Sequence, residues 1–432
     1  MNIAVVGTGY VGLVTGTCFA EFGVNVICVD VDESKISRLQ EGKIPIYEPG
    51  LEEMVRRNVA EGRLSFTTGL NAAVENSLVI FIAVGTPQGN DGAADLSFVR
   101  EVARGIARSM RDYKVVVTKS TVPMGTGAMI RALISEVQPS PVEFSVASNP
   151  EFLREGSAIE DFMRPNRVVI GADDPRAIDI LKELYNPLFL IEAPFLITSV
   201  ISSEMVKYAS NAFLATKISF INDIALLCEK VGADVHDVAR GMGLDHRIGR
   251  LFLHPGPGYG GSCFPKDTLA ILKVAEERGV DLKVVRATVE VNDLQPDRMV
   301  AKIRSFLGEI RGKKVGVLGL SFKPNTDDIR ESPSLRIIQA LRSGGTAVRA
   351  YDPVAMPETL KIFPDLEMGT DAYDTASDCD ALVLATEWNQ FRNLDLPRLK
   401  QVMRAPVLID LRNVYEPEDM TRAGFRYAAV GR

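Results

Sequence analysis

Cys263 lies in "PGPGYGGSCFPKD", Pro255 to Asp267, enclosed by glycines and prolines and followed at once by Lys266 and Asp267. A cysteine attacks an electrophile only as its thiolate, which needs a neighbouring cation or a helix N-terminus. Both are on offer. The run Gly260-Gly261-Ser262 lets backbone approach closely, and "PKDTLAILKVAEE" reads as a helix start, so the thiol sits just ahead of N–H groups. Lys266 adds positive charge, and Asp267 can hold or deprotonate a neighbour. Two readings stay open here: a nucleophile, or the small buried hydrophobe that free cysteines usually are.

Three further groups have the right chemistry. Lys207 and Asn211 are spaced i, i+4 in a long helical pattern, so both project from one side of it. An ammonium and an amide both donate, which suits a developing oxyanion. The alternative is a snorkelling lysine beside a surface asparagine. In "NPEFLREGSAIEDF", Glu151 and Glu155 share a face if that turn is helical, or are ordinary carboxylates near a helix start. "STVPMGT" places Thr121 after a strand, where a cofactor's reactive end is expected.

The elements that must position these residues begin with "MNIAVVGTGYVGLVTGTCFAEFGVNVICVD", a strand, glycine turn, helix and second strand ending at Asp30. Gly7, Gly9 and Gly12 spell GxGxxG after the first strand, and Asp30 follows 23 residues beyond Gly7. Such glycines allow a tight turn, close approach to a pyrophosphate and close helix packing, while a terminal Asp accepts from a ribose diol. A 2′-phosphate beside that carboxylate is repelled, so NAD is expected rather than NADP. Apolar runs at 78–87, 114–123 and 144–152, alternating with helical or polar segments, predict a mostly parallel sheet with ligands at its carboxyl ends.

The pattern turns helical from about Ser199, beginning "SSEMVKYASNAFLATKISFINDIALLCEKVGA", and returns to α/β at Lys313 with "KKVGVLGLSF" and "TAVRAYDP". The echo is incomplete, because Phe322 falls where a third glycine belongs. Lys323 and Arg330, on the loop after that strand, offer cations for phosphate, or are simply solvated. The fold class is α/β, two Rossmann-like doubly wound domains joined by a central helical domain with a long helix. Its divisions are 1–198, 199–300 and 311–432.

Composition narrows the classes further. The 49 basic and 56 acidic residues leave a net charge of −7 with no block of like charge, which argues against nucleic-acid and anionic-membrane surfaces. Five cysteines without a CxxC pair fit a reducing cytoplasm. His236, His246 and His254 lack metal-ligand spacing, so no metal is expected. Neither a GxSxG elbow nor a P-loop occurs. A two-electron β-hydroxyacid dehydrogenase would need neither Cys263 nor the α/β segment after Lys313, and a nicotinamide-dependent sensor would show no turnover.

Eight motifs in order, "GTGYVG", "VDVDESKI", "GTP", "KSTVP", "NPEFLREGSAI", "KYASNAFLATKISFIN", "PGPGYGGSCFPKD" and "GLSFKPNTDDIRESPS", resemble the UDP-glucose/GDP-mannose dehydrogenase family and span essentially the whole chain. The resemblance implies an NAD domain, a central helical dimerisation domain, a C-terminal UDP-sugar domain and a homodimer. It also implies oxidation of a sugar C6 alcohol to a carboxylate, with two NAD consumed, through a cysteine thiohemiacetal and thioester. By motif, Cys263 becomes the nucleophile, Lys207 and Asn211 the oxyanion donors, Asp267 and Glu151 the proton-transfer groups, and Thr121 a positioner of water. NAD contacts carry over to Gly7, Gly9, Tyr10, Val11, Gly12, Asp30, Lys35, Thr86, Thr121, Glu155, Lys266 and Arg330. Substrate contacts carry over to Glu151, Phe152, Leu153, Arg154, Glu155, Lys207, Asn211, Phe252, Leu253, His254, Pro255, Gly256, Gly260 and Lys323. Arg247, in "LDHRIG", resembles an arginine that reaches the substrate from the partner subunit. "GSAI" and the form of the cysteine segment resemble the UDP-glucose branch more than the GDP-mannose branch.

Overall fold

The computed structural model describes residues 1–89 and 92–432. The chain divides into two compact units, Met1–Ser210 with Glu276–Arg278, and Asn211–Ala275 with Gly279–Arg432.

The first unit is built on eight strands: β1 (Asn2–Val6), β2 (Asn25–Val29), β3 (Leu64–Thr67), β4 (Val79–Ile82), β5 (Lys114–Thr118), β6 (Phe144–Ser148), β7 (Val168–Ala172) and β8 (Phe195–Thr198). Their order is β3-β2-β1-β4-β5-β6-β7-β8, and every neighbouring pair is parallel except β6 with β7. The runs IAVV, VIFI and VVVT are apolar on both faces because helices cover both sides of a parallel sheet. Strand alternation divides them between two cores. Val5, Phe81 and Val117 point to one face with Leu13 and Phe19, while Ala4, Ile80 and Val116 point to the other with Ile106 and Ile130. The strand order reverses between β1 and β4, which leaves a crevice at their carboxyl ends for a ligand.

In the second unit, β9 (Lys314–Leu318), β10 (Ala347–Tyr351), β11 (Glu367–Met368), β12 (Ala381–Leu384), β13 (Val407–Asp410) and β14 (Arg426–Ala428) form a parallel sheet in the order β11-β10-β9-β12-β13-β14. The same division of faces recurs, Val315, Val317 and Val383 against Leu318, Leu382 and Leu384. Helices Phe264–Glu277 and Lys283–Leu307 complete this unit's larger elements. Helix Val200–Val231 is continuous over 32 residues, as the long helical pattern predicts. Strands β3, β7, β8, β11 and β14 carry no clear sequence signal, since short apolar runs cannot be told from helix segments by periodicity.

Candidate active site

The three glycines after β1 do three different things. Gly7 has φ +102°, and a Cβ there would come within 2.6 Å of the Ala83 carbonyl oxygen. At Gly12 a Cβ would lie 1.9 Å from the Gly7 carbonyl oxygen, so helix and turn pack without room for a side chain. Around Gly9 nothing lies within 4 Å of such a Cβ. Backbone is therefore open there, as the close approach of a pyrophosphate would require. Helix Tyr10–Glu21 has no side-chain cap and no acidic residue in its first turn, an N-terminus suited to an anion.

Asp30 completes this cradle. Its Oδ2 accepts from the Thr8 N–H (2.8 Å), the Thr8 hydroxyl (2.6 Å) and Lys35 Nζ (3.0 Å). Burial alone pushes the carboxyl up, but these donors and the Asp32 N–H outweigh it and hold the group down to about 2. It is therefore charged at neutral pH, with lone pairs remaining for a ribose hydroxyl. The residues present fit a dinucleotide without a 2′-phosphate. Beside them Thr86 donates its hydroxyl to the Thr121 carbonyl at 2.9 Å, joining the loops after β4 and β5.

Glu151 and Lys207 form a buried ion pair, Nζ to Oε1 2.8 Å, with both side chains 5% exposed. The Leu153 N–H donates to Oε2 at 2.5 Å. Burial pushes the Glu151 carboxyl up, yet Lys207, the Leu153 N–H and the charge of Lys119 together hold it below the usual range. Residues 151–154 are irregular rather than helical, so the shared helical face expected for Glu151 and Glu155 does not form. Glu155 is half-buried. Phe152 stacks its ring under Arg167, 3.4 Å from guanidinium carbon to ring centroid, and Arg154 is clamped by Asp161.

Within the second unit, Cys263 is the residue just before helix Phe264–Glu277, and its carbonyl accepts the Asp267 N–H at 2.8 Å. Of the five cysteines, Cys18, Cys28, Cys228 and Cys379 are buried, and only Cys263 is partly exposed. Burial pushes the Cys28 thiol up to about 12 and that of Cys379 up to about 11, and raises Cys18 as well. None of those three is a thiolate at neutral pH. Asp267, 1% exposed, accepts from Asn211 Nδ2 at 2.7 Å and from Lys266 Nζ at 2.5 Å. Lys207 and Asn211 are 4% and 6% exposed, which overturns the surface reading of the pair.

Around the thiol the backbone is pinned. A Cβ at Gly260 would meet the Glu331 carbonyl oxygen at 2.3 Å, and one at Gly261 would meet the Phe322 ring at 2.7 Å. Arg330 lends its carbonyl to the Gly261 N–H at 2.8 Å and grips Asp328 with its guanidinium. Lys323 lies over the Phe322 ring, 5.4 Å from its centroid. In segment 252–256, Leu253 and Pro255 are buried, His254 is exposed, and Phe252 has φ +64° with its ring 6.1 Å from that of Phe264. Gly256 is fixed by Asn222 and Gln295, each at 2.8 Å. Arg247 is exposed and paired with Asp245.

The second α/β unit has a turn after β9 that protein groups already occupy. Asp352, at the end of β10 and fully buried, accepts from Leu320 N, Ser321 N and Oγ, Trp388 Nε1, Val354 N and Ala355 N. It stands where Asp30 stands in the first unit, yet six donors consume it.

Three residues escaped the sequence reading. Glu48, 5% exposed, accepts from the Gly156 and Ala158 N–H groups at 2.7 and 2.8 Å and from the Tyr10 hydroxyl, tying the Glu155 turn to the dinucleotide helix. Glu204, 2% exposed, accepts from Gly125 N (2.6 Å) and Gly127 N (2.8 Å), anchoring the turn that follows Thr121. Lys119 is buried among aromatic rings close to Glu151. The backbone partners of Glu48 and Glu204 lie more than seventy residues away in sequence, beyond any local pattern.

Comparison with known proteins agrees with this geometry. Residues 1–189 match the NAD binding domain of the UDP-glucose/GDP-mannose dehydrogenase family, residues 201–294 its central domain and residues 316–417 its UDP binding domain. The chain is 55% identical over 436 residues to the UDP-glucose 6-dehydrogenase of Rhizobium meliloti (strain 1021), covering 100% of both chains. It is 49% identical to UDP-glucose 6-dehydrogenase TuaD of Bacillus subtilis (strain 168), covering 100% of this chain and 93% of that one. The solved structure of a UDP-glucose dehydrogenase from Pyrobaculum islandicum superposes with TM-score 0.92 at 42% identity, covering 99% of this chain and 96% of that one. The chain is an NAD-dependent oxidoreductase that belongs to the UDP-glucose/GDP-mannose dehydrogenase family.

Proposed function

We propose that the substrate is UDP-glucose and that the chain oxidises its C6 alcohol to the carboxylate of UDP-glucuronate by a covalent route through Cys263. The observation that carries the covalent route is the one partly exposed thiol at a helix start, in a chain whose other cysteines are buried. NAD, when bound, accepts the hydride removed in each of the two oxidations. After the first oxidation Cys263 adds its sulfur to the C6 aldehyde carbon, forming a C–S bond, and the carbonyl oxygen becomes an oxyanion or takes a proton. The second oxidation leaves a thioester. Water then adds at the same carbon, the C–S bond breaks with the thiolate as leaving group, and a carboxylate remains.

Covalent capture keeps the aldehyde from escaping between the two oxidations. Lys207 and Asn211 donate to the oxyanions. Asp267 and Glu151 move protons or activate the water, which Thr121 helps to hold. Asp30 and the turn from Gly7 to Gly12 hold the dinucleotide, with Lys35, Thr86, Glu155, Lys266 and Arg330. The segments 151–155 and 252–256, with Gly260 and Lys323, hold the sugar nucleotide. The missing Cβ atoms at Gly260 and Gly261 serve backbone packing, and what reaches the sugar there is backbone. The divisions 1–198, 199–300 and 311–432 follow these roles. In a panel of nucleotide sugars followed by NADH absorbance, UDP-glucose is expected to be turned over at least about a hundredfold more efficiently than GDP-mannose. Preference for GDP-mannose would reassign the base.

The same reading includes a homodimer, with Arg247 serving the partner's substrate. Its support is a stripe on helix Val200–Val231, where Met205, Phe213, Phe220 and Leu227 are 43%, 66%, 47% and 57% exposed. The last three repeat every seven residues, the spacing of a helix-packing seam. Phe213→Glu with Phe220→Glu is expected to halve the solution mass measured by light scattering, and an unchanged mass would remove this face from the interface.

A further inference from the structure

We propose that Lys119 is a positioning residue for the reaction, a buried ammonium that shares a cavity with Glu151 and supports that carboxylate alongside Lys207. This rests on the assignment of Glu151 to proton transfer. Lys119 is 4% exposed, and its immediate partners are neutral: Asn149 Oδ1 at 3.0 Å and the Tyr185 hydroxyl at 3.2 Å. The rings of Phe162 and Tyr185 flank it, with centroids 5.8 and 5.9 Å from Nζ. Cation–π contact at that range returns only part of the hydration an ammonium loses. An apolar chain of the same length would fill the space as well, so packing gives no reason for a charge here.

Among the described residues, the groups around it leave one anion for it to serve. Cys18, from helix Tyr10–Glu21, and Tyr185 both have acidic protons pushed up by burial and stay neutral. Asp161, which lines the same cavity, is taken by Arg154, with 2.7 Å from Nη2 to Oδ1. Lys207 and Arg167 are cations. Glu151 is the carboxylate whose charge acts on Lys119, and Lys119 acts on it in return. The cavity, about 40 Å³, is lined by Lys119, Asn149, Glu151, Arg167 and Tyr185. It has room for one water.

Burial pulls Lys119 down to about 8, against the pull of Glu151. Its charge is therefore present at neutral pH and lost as pH rises through about 8. Lys119→Met removes that charge, so Glu151 protonates at higher pH. The acid limb of the kcat profile with UDP-glucose and NAD is expected to move to higher pH, with at least about a twofold loss of kcat on that limb. The melting temperature is expected to be unchanged or higher. Lys119→Gln is a second neutral variant with the same expected profile, and Glu151→Gln is the control. An unmoved acid limb in both folded Lys119 variants, with Glu151→Gln impaired, overturns the inference alone. Wild-type kcat in Glu151→Gln overturns the assignment of Glu151, and this inference with it.

Discussion

Replacing Cys263 by serine is expected to lower formation of the uronate by at least about a thousandfold, the scale seen when a covalent nucleophile is removed. Binding of NAD and of UDP-glucose should stay within a few fold. The two effects separate because the dinucleotide turn is held by residues of its own, Asp30, Thr8 and Lys35. The fold should also survive. The backbone N–H of Asp267 bonds to the Cys263 carbonyl, which serine retains, and Gly260 and Gly261 pack against Glu331 and Phe322 whatever stands at 263. Serine keeps a nucleophilic atom in the same place, but an alcohol is far less acidic than a thiol and is a much poorer leaving group. Steady-state kinetics with calorimetric binding measures both halves of the prediction, and near-wild-type turnover would contradict it.

Lys207→Met is the second large expected effect, and it acts on stability and rate together. The pair with Glu151 is buried on both sides, so removing the ammonium strands a carboxylate in the interior. Breaking such a pair from one side costs about 3–5 kcal/mol. Loss of an oxyanion donor lowers kcat by about a hundred- to a thousandfold. Adding Glu151→Gln removes the stranded charge. The double variant should regain most of the denaturation midpoint without regaining kcat, since the donor is still missing. Wild-type stability in Lys207→Met would mean that the pair does not hold this region together, and wild-type kcat would remove Lys207 from the chemistry.

What the sequence made legible follows the range of the interactions. The dinucleotide turn was readable because each glycine answers a local demand, and the structure assigns Gly7, Gly9 and Gly12 to turn, open approach and packing in that order. Spacing put Lys207 and Asn211 on one helix face, but their burial was not visible. Each meets its carboxylate, Glu151 or Asp267, across 56 residues of chain. The glycines beside Cys263 signal close backbone approach in the sequence, but not what approaches: the missing side chains accommodate a carbonyl and an aromatic ring of the protein itself. Phe322, conspicuous as the residue in place of a third glycine, is that ring. The incomplete second turn has the same kind of cause, because Asp352 spends its lone pairs on Trp388, Ser321 and nearby backbone, contacts no local pattern encodes.

The claim that two oxidations occur at one carbon through Cys263 is tested most directly by counting NADH against UDP-glucose consumed, in the wild-type protein and in Cys263→Ser. Two NADH per sugar nucleotide in the wild type, and at most one in the variant, is the predicted result. Two NADH per sugar nucleotide in Cys263→Ser would contradict it.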